Sequence, residues 1–149
     1  MHRVALTILL FLQACSTVPP DYNRDSYAFV SYSSEVSIGY YSGQTCENID
    51  IDHIVSLADA HESGAALWND AEKALFANDR SNHVAACASI NRSKGSSTPS
   101  EFLRKSSDGA GVEFSFVDFC GYVARYVAVK EAYKLSLENN DEEVLESCG

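Results

Sequence analysis

Residues 49–57 read "IDIDHIVSL", and the way this run is read decides the fold. Ile49, Ile51, His53, Val55 and Leu57 alternate with Asp50, Asp52, Ile54 and Ser56, the period of a β-strand. An Asp-His pair therefore sits near the end of a strand. An imidazole that titrates near neutrality suits a general base, and a carboxylate suits a hard divalent cation. Adjacent strand residues point to opposite faces, so Asp52 and His53 share a site only where the strand ends or distorts.

Outward from this run, "YAFVSYSSEVSIGYYSG" (27–43) alternates loosely and is expected to form one or two short strands. Gly64 to Phe76 is expected to be a helix with an apolar stripe of Leu67, Trp68, Ala71 and Leu75. "HVAACASI" (83–90) is a second strand, headed by Asn82 and ended by Asn91. Ser97 to Lys105 reads as a helix with Pro99 in its first turn and Glu101 at the positive end. "GVEFSFV" (111–117) alternates again. Asp118 is placed to N-cap a long helix to Leu135 that carries Phe119, Tyr122, Val123, Tyr126, Val127 and Tyr133 on one side. Asn140 and Glu143 have capping-box spacing before a last short helix. This order describes a small α+β domain. No repeat and no low-complexity run interrupts it.

The 149 residues suit a single domain, and 46% hydrophobic with 11% aromatic content is globular. A formal net charge of −10 argues against polyanion binding by the whole surface. The charge is segregated, however. Arg80, Arg92, Lys94, Arg104 and Lys105 stand against Glu101 alone, a local +4 centred on "CASINRSKGSSTPSEF" (87–102).

The start, "MHRVALTILLFLQACSTVPP", places nine largely apolar residues, Val4 to Leu12, after Arg3. As a helix they span about 14 Å, short of a bilayer core of roughly 30 Å, which fits an export signal. Leu-Gln-Ala-Cys resembles a bacterial lipobox, with Gln13 an imperfect match. Residues 1–14 are then a signal peptide, Cys15 the lipidated residue, 15–26 a tether and 27–149 the domain, an exported protein of the bacterial envelope or periplasm. An ordinary signal peptide cut nearby is the plainer alternative. Four cysteines remain, Cys46, Cys87, Cys120 and Cys148, and an even number in an oxidising compartment indicates two disulfides with three possible pairings. His2 leaves with the signal, and His61 and His83 have no partners evident in the sequence.

Taken together, "DIDHIVSLADA", "SGAALW", "FANDRSNHVAACASINRSKGSSTPSEFL" and "CGYVARYVAVKEAYKLS" resemble, in order, the HNH endonucleases of the ββα-metal or His-Me finger superfamily. The detailed likeness is to the HNH domain at the C-terminus of GmrSD-type restriction enzymes, also found in small exported bacterial proteins. It covers about residues 50 to 135. The resemblance implies a ββα-metal core with added helices, including a long C-terminal one.

It also implies a general base at His53, metal ligands at Asp52 and Asn91, and a bracing role for Asn82. Arg92 and Lys94 would contact substrate phosphate, and Arg125 and Lys130 are phosphate contacts or polar-face residues. The implied cofactor is a divalent metal, Mg²⁺ before Mn²⁺ or another ion. The implied partners are nucleic acid, DNA ahead of RNA, and the membrane through the Cys15 lipid. A cysteine pair of exported members corresponds to Cys120 and Cys148. Cys46 and Cys87 then remain, flanking the two strands. Three departures stand out: Ser56 replaces a common Pro, His61-Glu62 replaces an aromatic and an Arg, and an Arg is missing from "AEKALFAND". A noncatalytic, disulfide-stapled envelope module built on the same fold is the competing reading, motivated by the −14 outside the basic segment.

Overall fold

The computed structural model describes residues 18–149; the expected signal peptide and the expected lipidation at Cys15 lie outside the described residues. The fold is α+β, helices around one small antiparallel sheet. Strand β1, Ile49–His53, pairs with β2, His83–Cys87, in a register that sets Ile49 opposite Cys87 and His53 opposite His83. β1 stops at His53, so Asp52 and His53 both reach the strand end. Ile54 and Val55 follow as fully buried loop residues. Leu57 belongs not to the strand but to helix α1, Leu57–Glu62, because Ser56 accepts a hydrogen bond from the Asp59 amide and caps it.

The expected 64–76 helix is broken. A short 3-10 turn, Ala65–Leu67, precedes helix α2, Asp70–Asn78, which opens with an Asn69/Glu72 capping box. The restart rotates the apolar stripe. Leu67 and Leu75 are exposed, while Phe76 and Ala77 are sealed in the core. The second strand also ends early. Cys87 leads directly into helix α3, Ala88–Lys94, so Ile90 is a buried helical residue and Asn91 lies within the helix. Gly95 closes α3 at φ +56, a backbone that costs glycine little.

Helix α4, Pro99–Lys105, forms as expected, with Glu101 accepting from the Thr98 amide. Helix α5, Phe119–Ala132, is capped by Asp118, which accepts from the Gly121 amide at 2.8 Å. The last helix, α6, Glu142–Glu146, is capped by Asp141 rather than Asn140.

Two alternating segments do not become strands. Residues 111–117 run without a ladder, tied by Phe114 N–H to Ser106 O and Val117 N–H to Tyr41 O. Within 27–43 only an isolated bridge, Ile38 to Thr45, forms. Their aromatic residues instead fill the core: Tyr41 meets Phe102 and Tyr122 edge-to-face at 4.9 and 5.3 Å. The presumed tether is partly docked as well. A 3-10 turn, Arg24–Tyr27, buries Tyr27 completely, and Pro20 O accepts from His61 Nε2 at 2.8 Å.

Both disulfides are formed. Cys46–Cys87 has its Cα atoms 5.1 Å apart and Cys120–Cys148 5.0 Å, inside the bridging range. The first fastens residue 46 to the end of β2. Gly39 lies so close that a Cβ there would approach both sulfurs to 2.8 Å.

Candidate functional site

Asp52, His53 and Asn91 line a single cavity of about 240 Å³, together with Tyr22, Arg24, Ser56, Gly95 and Ser96. Asn82 sets the geometry at its base. Its Oδ1 accepts from Val55 N–H at 2.8 Å, its Nδ2 donates to Val55 O at 3.0 Å, and its own carbonyl accepts from Ile54 N–H at 2.7 Å. The residue is fully buried, so the loop after His53 is pinned where no water competes. Asn82 thus holds residues 54 and 55 through three hydrogen bonds.

The three described histidines share one tautomer. Nε2 of His53 donates to Ala77 O at 2.8 Å, and Nε2 of His83 donates to the same carbonyl at 3.0 Å. Nε2 of His61 donates to Pro20 O. In His61 and His83 the other nitrogen, Nδ1, accepts from a tyrosine, Tyr27 and Tyr32 respectively. His53 differs. Its Nδ1 makes no hydrogen bond among the described residues, and the residue is among those that line the cavity. Burial among Phe29 and His83 pushes its pKa down to about 4, with Lys94 and Arg24 adding positive charge nearby. His53 is therefore neutral at pH 7 with a lone pair on Nδ1. That is the state a general base requires.

Asp52 is less free than the sequence suggests. Its Oδ2 accepts from Tyr41 Oη at 2.5 Å and lies 3.0 Å from Lys94 Nζ, which also donates to Oδ1 at 3.2 Å. Lys94 donates further to His53 O at 2.7 Å and is wholly buried. A phosphate-facing Lys94 is thereby corrected: its ammonium points inward because an ionised Asp52 in the interior needs a counter-charge.

Arg92 is exposed beside a different hollow, lined by Cys46, Glu47 and Glu113 among others, so it is not at this cavity. Arg125 donates to Ser81 O and His83 O, and Lys130 is buried on Asp59, Ser63 and Ser136 O. Both serve the fold. The remaining basic residues disperse likewise, Arg80 stacking on Tyr32 and Lys105 bonding Ser93 O and Ser97 Oγ.

Asp50 and Arg24 were missed in the sequence. Asp50 accepts from Asn91 Nδ2 at 3.3 Å; a carboxylate only accepts, so Asn91 Oδ1 is the atom left for a ligand. Its signal was present in the strand period, since Asp50 shares a face with Asp52. Arg24 had no such signal, because it lies in the presumed tether.

No cluster of three or more His, Cys, Asp or Glu side chains occurs among the described residues. A carboxylate has about four acceptor positions, of which Asp52 uses three. One on Oδ1 remains, in a residue that lines the same cavity as Asn91. This donor set fits a hard cation such as Mg²⁺ that keeps several waters and takes its other ligands from substrate, and Lys94 makes that fit a weak one.

No family model matches the chain, and no solved structure matches it. An uncharacterized secreted protein of Arthroderma benhamiae is 31% identical over 112 residues, covering 72% of this chain and 50% of the relative. The chain thus spans about half the length of the curated relative it matches.

Proposed function

We propose that the protein is an exported, metal-dependent endonuclease of the HNH type that hydrolyses phosphodiester bonds in nucleic acid, with DNA preferred. The observation that carries this reading is the neutral His53, 4% exposed, tied down through Nε2 and without a hydrogen bond on Nδ1 among the described residues, in one cavity with Asp52 and Asn91. In this reading Nδ1 takes the proton of an attacking water, and Ala77 O holds the ring as charge develops on it. Asn82 keeps the loop fixed, so the base need not reorganise. Asp52 and Asn91 would hold the divalent cation. When bound, such an ion stabilises negative charge on the phosphate and on the leaving oxygen.

Two disulfides support export, since such bridges persist in oxidising compartments. The relative's description as secreted supports the same conclusion. A lipid on Cys15 and a bacterial envelope location complete the proposal. Mass spectrometry of membrane-extracted protein tests the lipid: an acylated Cys15 is expected, and an unmodified or clipped N-terminus refutes it.

One observation favours the noncatalytic module instead. Lys94 already supplies the positive charge at Asp52, the role a metal would fill. A plasmid-nicking assay with Mg²⁺ and Mn²⁺ separates the two readings. Wild-type protein is expected to nick, and His53→Ala to be inert while retaining its circular dichroism. Wild-type inertness across metals, DNA and RNA would sink the nuclease reading.

A further inference from the structure

Among the described residues lining the cavity there is one exposed cation, and it comes from none of the basic segment. It is Arg24, which with Tyr22 lies far in sequence from the rest of the lining. Its guanidinium makes no ion pair and no hydrogen bond among the described residues. Its backbone, by contrast, is held on both sides. Asn23 Oδ1 accepts from the Asp25 amide at 3.0 Å, and Ala28 closes the turn at φ +45. Tyr22 packs on His61 and Tyr27 with ring centroids 5.5 and 6.1 Å away. Tyr27 is fully buried with its hydroxyl on His61 Nδ1, and Pro20 O is bonded to the other side of that ring. An anchored backbone carrying an unpaired guanidinium into a polar cavity is an arrangement made for an anion.

The rest of the lining agrees. Asp52 is charge-compensated by Lys94, and Asn91, Ser56 and Ser96 are neutral and able to hydrogen-bond. A guanidinium fork matches phosphate oxygens in pairs. We infer that Arg24 is the residue that receives a substrate phosphate in this cavity, so that the 20–27 segment is part of the binding site. In naming that phosphate a phosphodiester of nucleic acid, the inference rests on the function proposed above. Arg24 thereby takes the role that the resemblance implied for Arg92 and Lys94.

The test reads binding separately from cleavage. ¹⁵N-labelled wild-type protein in EDTA is titrated with inorganic phosphate, and in a second arm with a short single-stranded DNA. The Arg24 Nε–H and Asn91 side-chain amide signals are expected to shift and saturate. In Arg24→Ala the Asn91 shift should need about 10- to 100-fold more ligand, the loss of a charged hydrogen-bonding partner, and Arg24→Lys should recover part of it. In nicking assays Arg24→Ala should raise KM more than it lowers kcat. An Asn91 shift saturating at the same concentration in wild type and Arg24→Ala overturns the assignment, as does an unchanged KM. A wild type that never nicks, yet shows the Arg24-dependent shift with inorganic phosphate, keeps the anion site and removes the nuclease. Response to inorganic phosphate without response to DNA assigns the site to a free phosphate.

Discussion

At the scale of single residues, the site depends on polar side chains that are buried and satisfied. Asn82 makes both of its side-chain bonds to one residue, Val55. Asn82→Ala strands a buried N–H and a buried C=O and is expected to cost about 3 kcal/mol in urea unfolding. Asn82→Asp keeps the acceptor but cannot donate to Val55 O, so it should not restore stability. Lys94→Ala leaves Asp52 buried without its counter-charge, a loss of about 3–5 kcal/mol. Combining it with Asp52→Asn should cost far less than the sum of the single changes. A double-mutant cycle measures this, and additivity would show that the pair is not coupled. The sequence made Asp52 and Lys94 legible as charged residues of a site but not as partners, because 42 residues separate them and only the fold brings them together.

At the scale of elements, capping chemistry decided more than periodicity did. Helices α4 and α5 were readable because Thr98-Pro99-x-Glu101 and Asp118 mark their starts locally. The break at Trp68–Asn69 was equally marked by Asn69 and Glu72, but an apolar stripe running across it concealed the restart. Alternation misled at 111–117 and 27–43, where aromatic residues are buried by wrapping the core rather than by pairing in a sheet. The disulfides fasten the chain beside these segments, Cys46 to the end of β2 and Cys120 of α5 to Cys148 after α6. The chain-entropy model gives about 4 kcal/mol for closing the 41-residue loop between Cys46 and Cys87. Cys46→Ala/Cys87→Ala should therefore lower stability by up to that amount. It should also loosen residues 36–48, measured as faster amide exchange there.

At the scale of the molecule, acid should unfold this protein earlier than its carboxylates alone would predict. His53 titrates near 6.5 when unfolded and near 4 when folded, so the unfolded chain binds its proton more readily. The stability tied to this group is fully present above about pH 6.5 and is lost as pH falls toward 4. The loss reaches about 3 kcal/mol, and His83, lowered by burial, acts in the same direction. Urea unfolding of metal-free protein at pH 7.5, 6, 5 and 4 measures it, and His53→Gln should flatten the slope. A wild-type curve that stays level from 7.5 to 4 would show that the rings are not buried neutral.

The bond from His53 to Ala77 O has a further consequence. Residue 77 is in the last turn of α2, whose final carbonyls have no partner inside the helix. The imidazoles of His53 and His83 are that helix's C-terminal caps, two donors on one oxygen. The candidate base is thus also a helix terminator, and the inert variant used to test catalysis is a capping variant too. His53→Ala should melt a few degrees below wild type even though it folds, and α2 is where that slackness should be found.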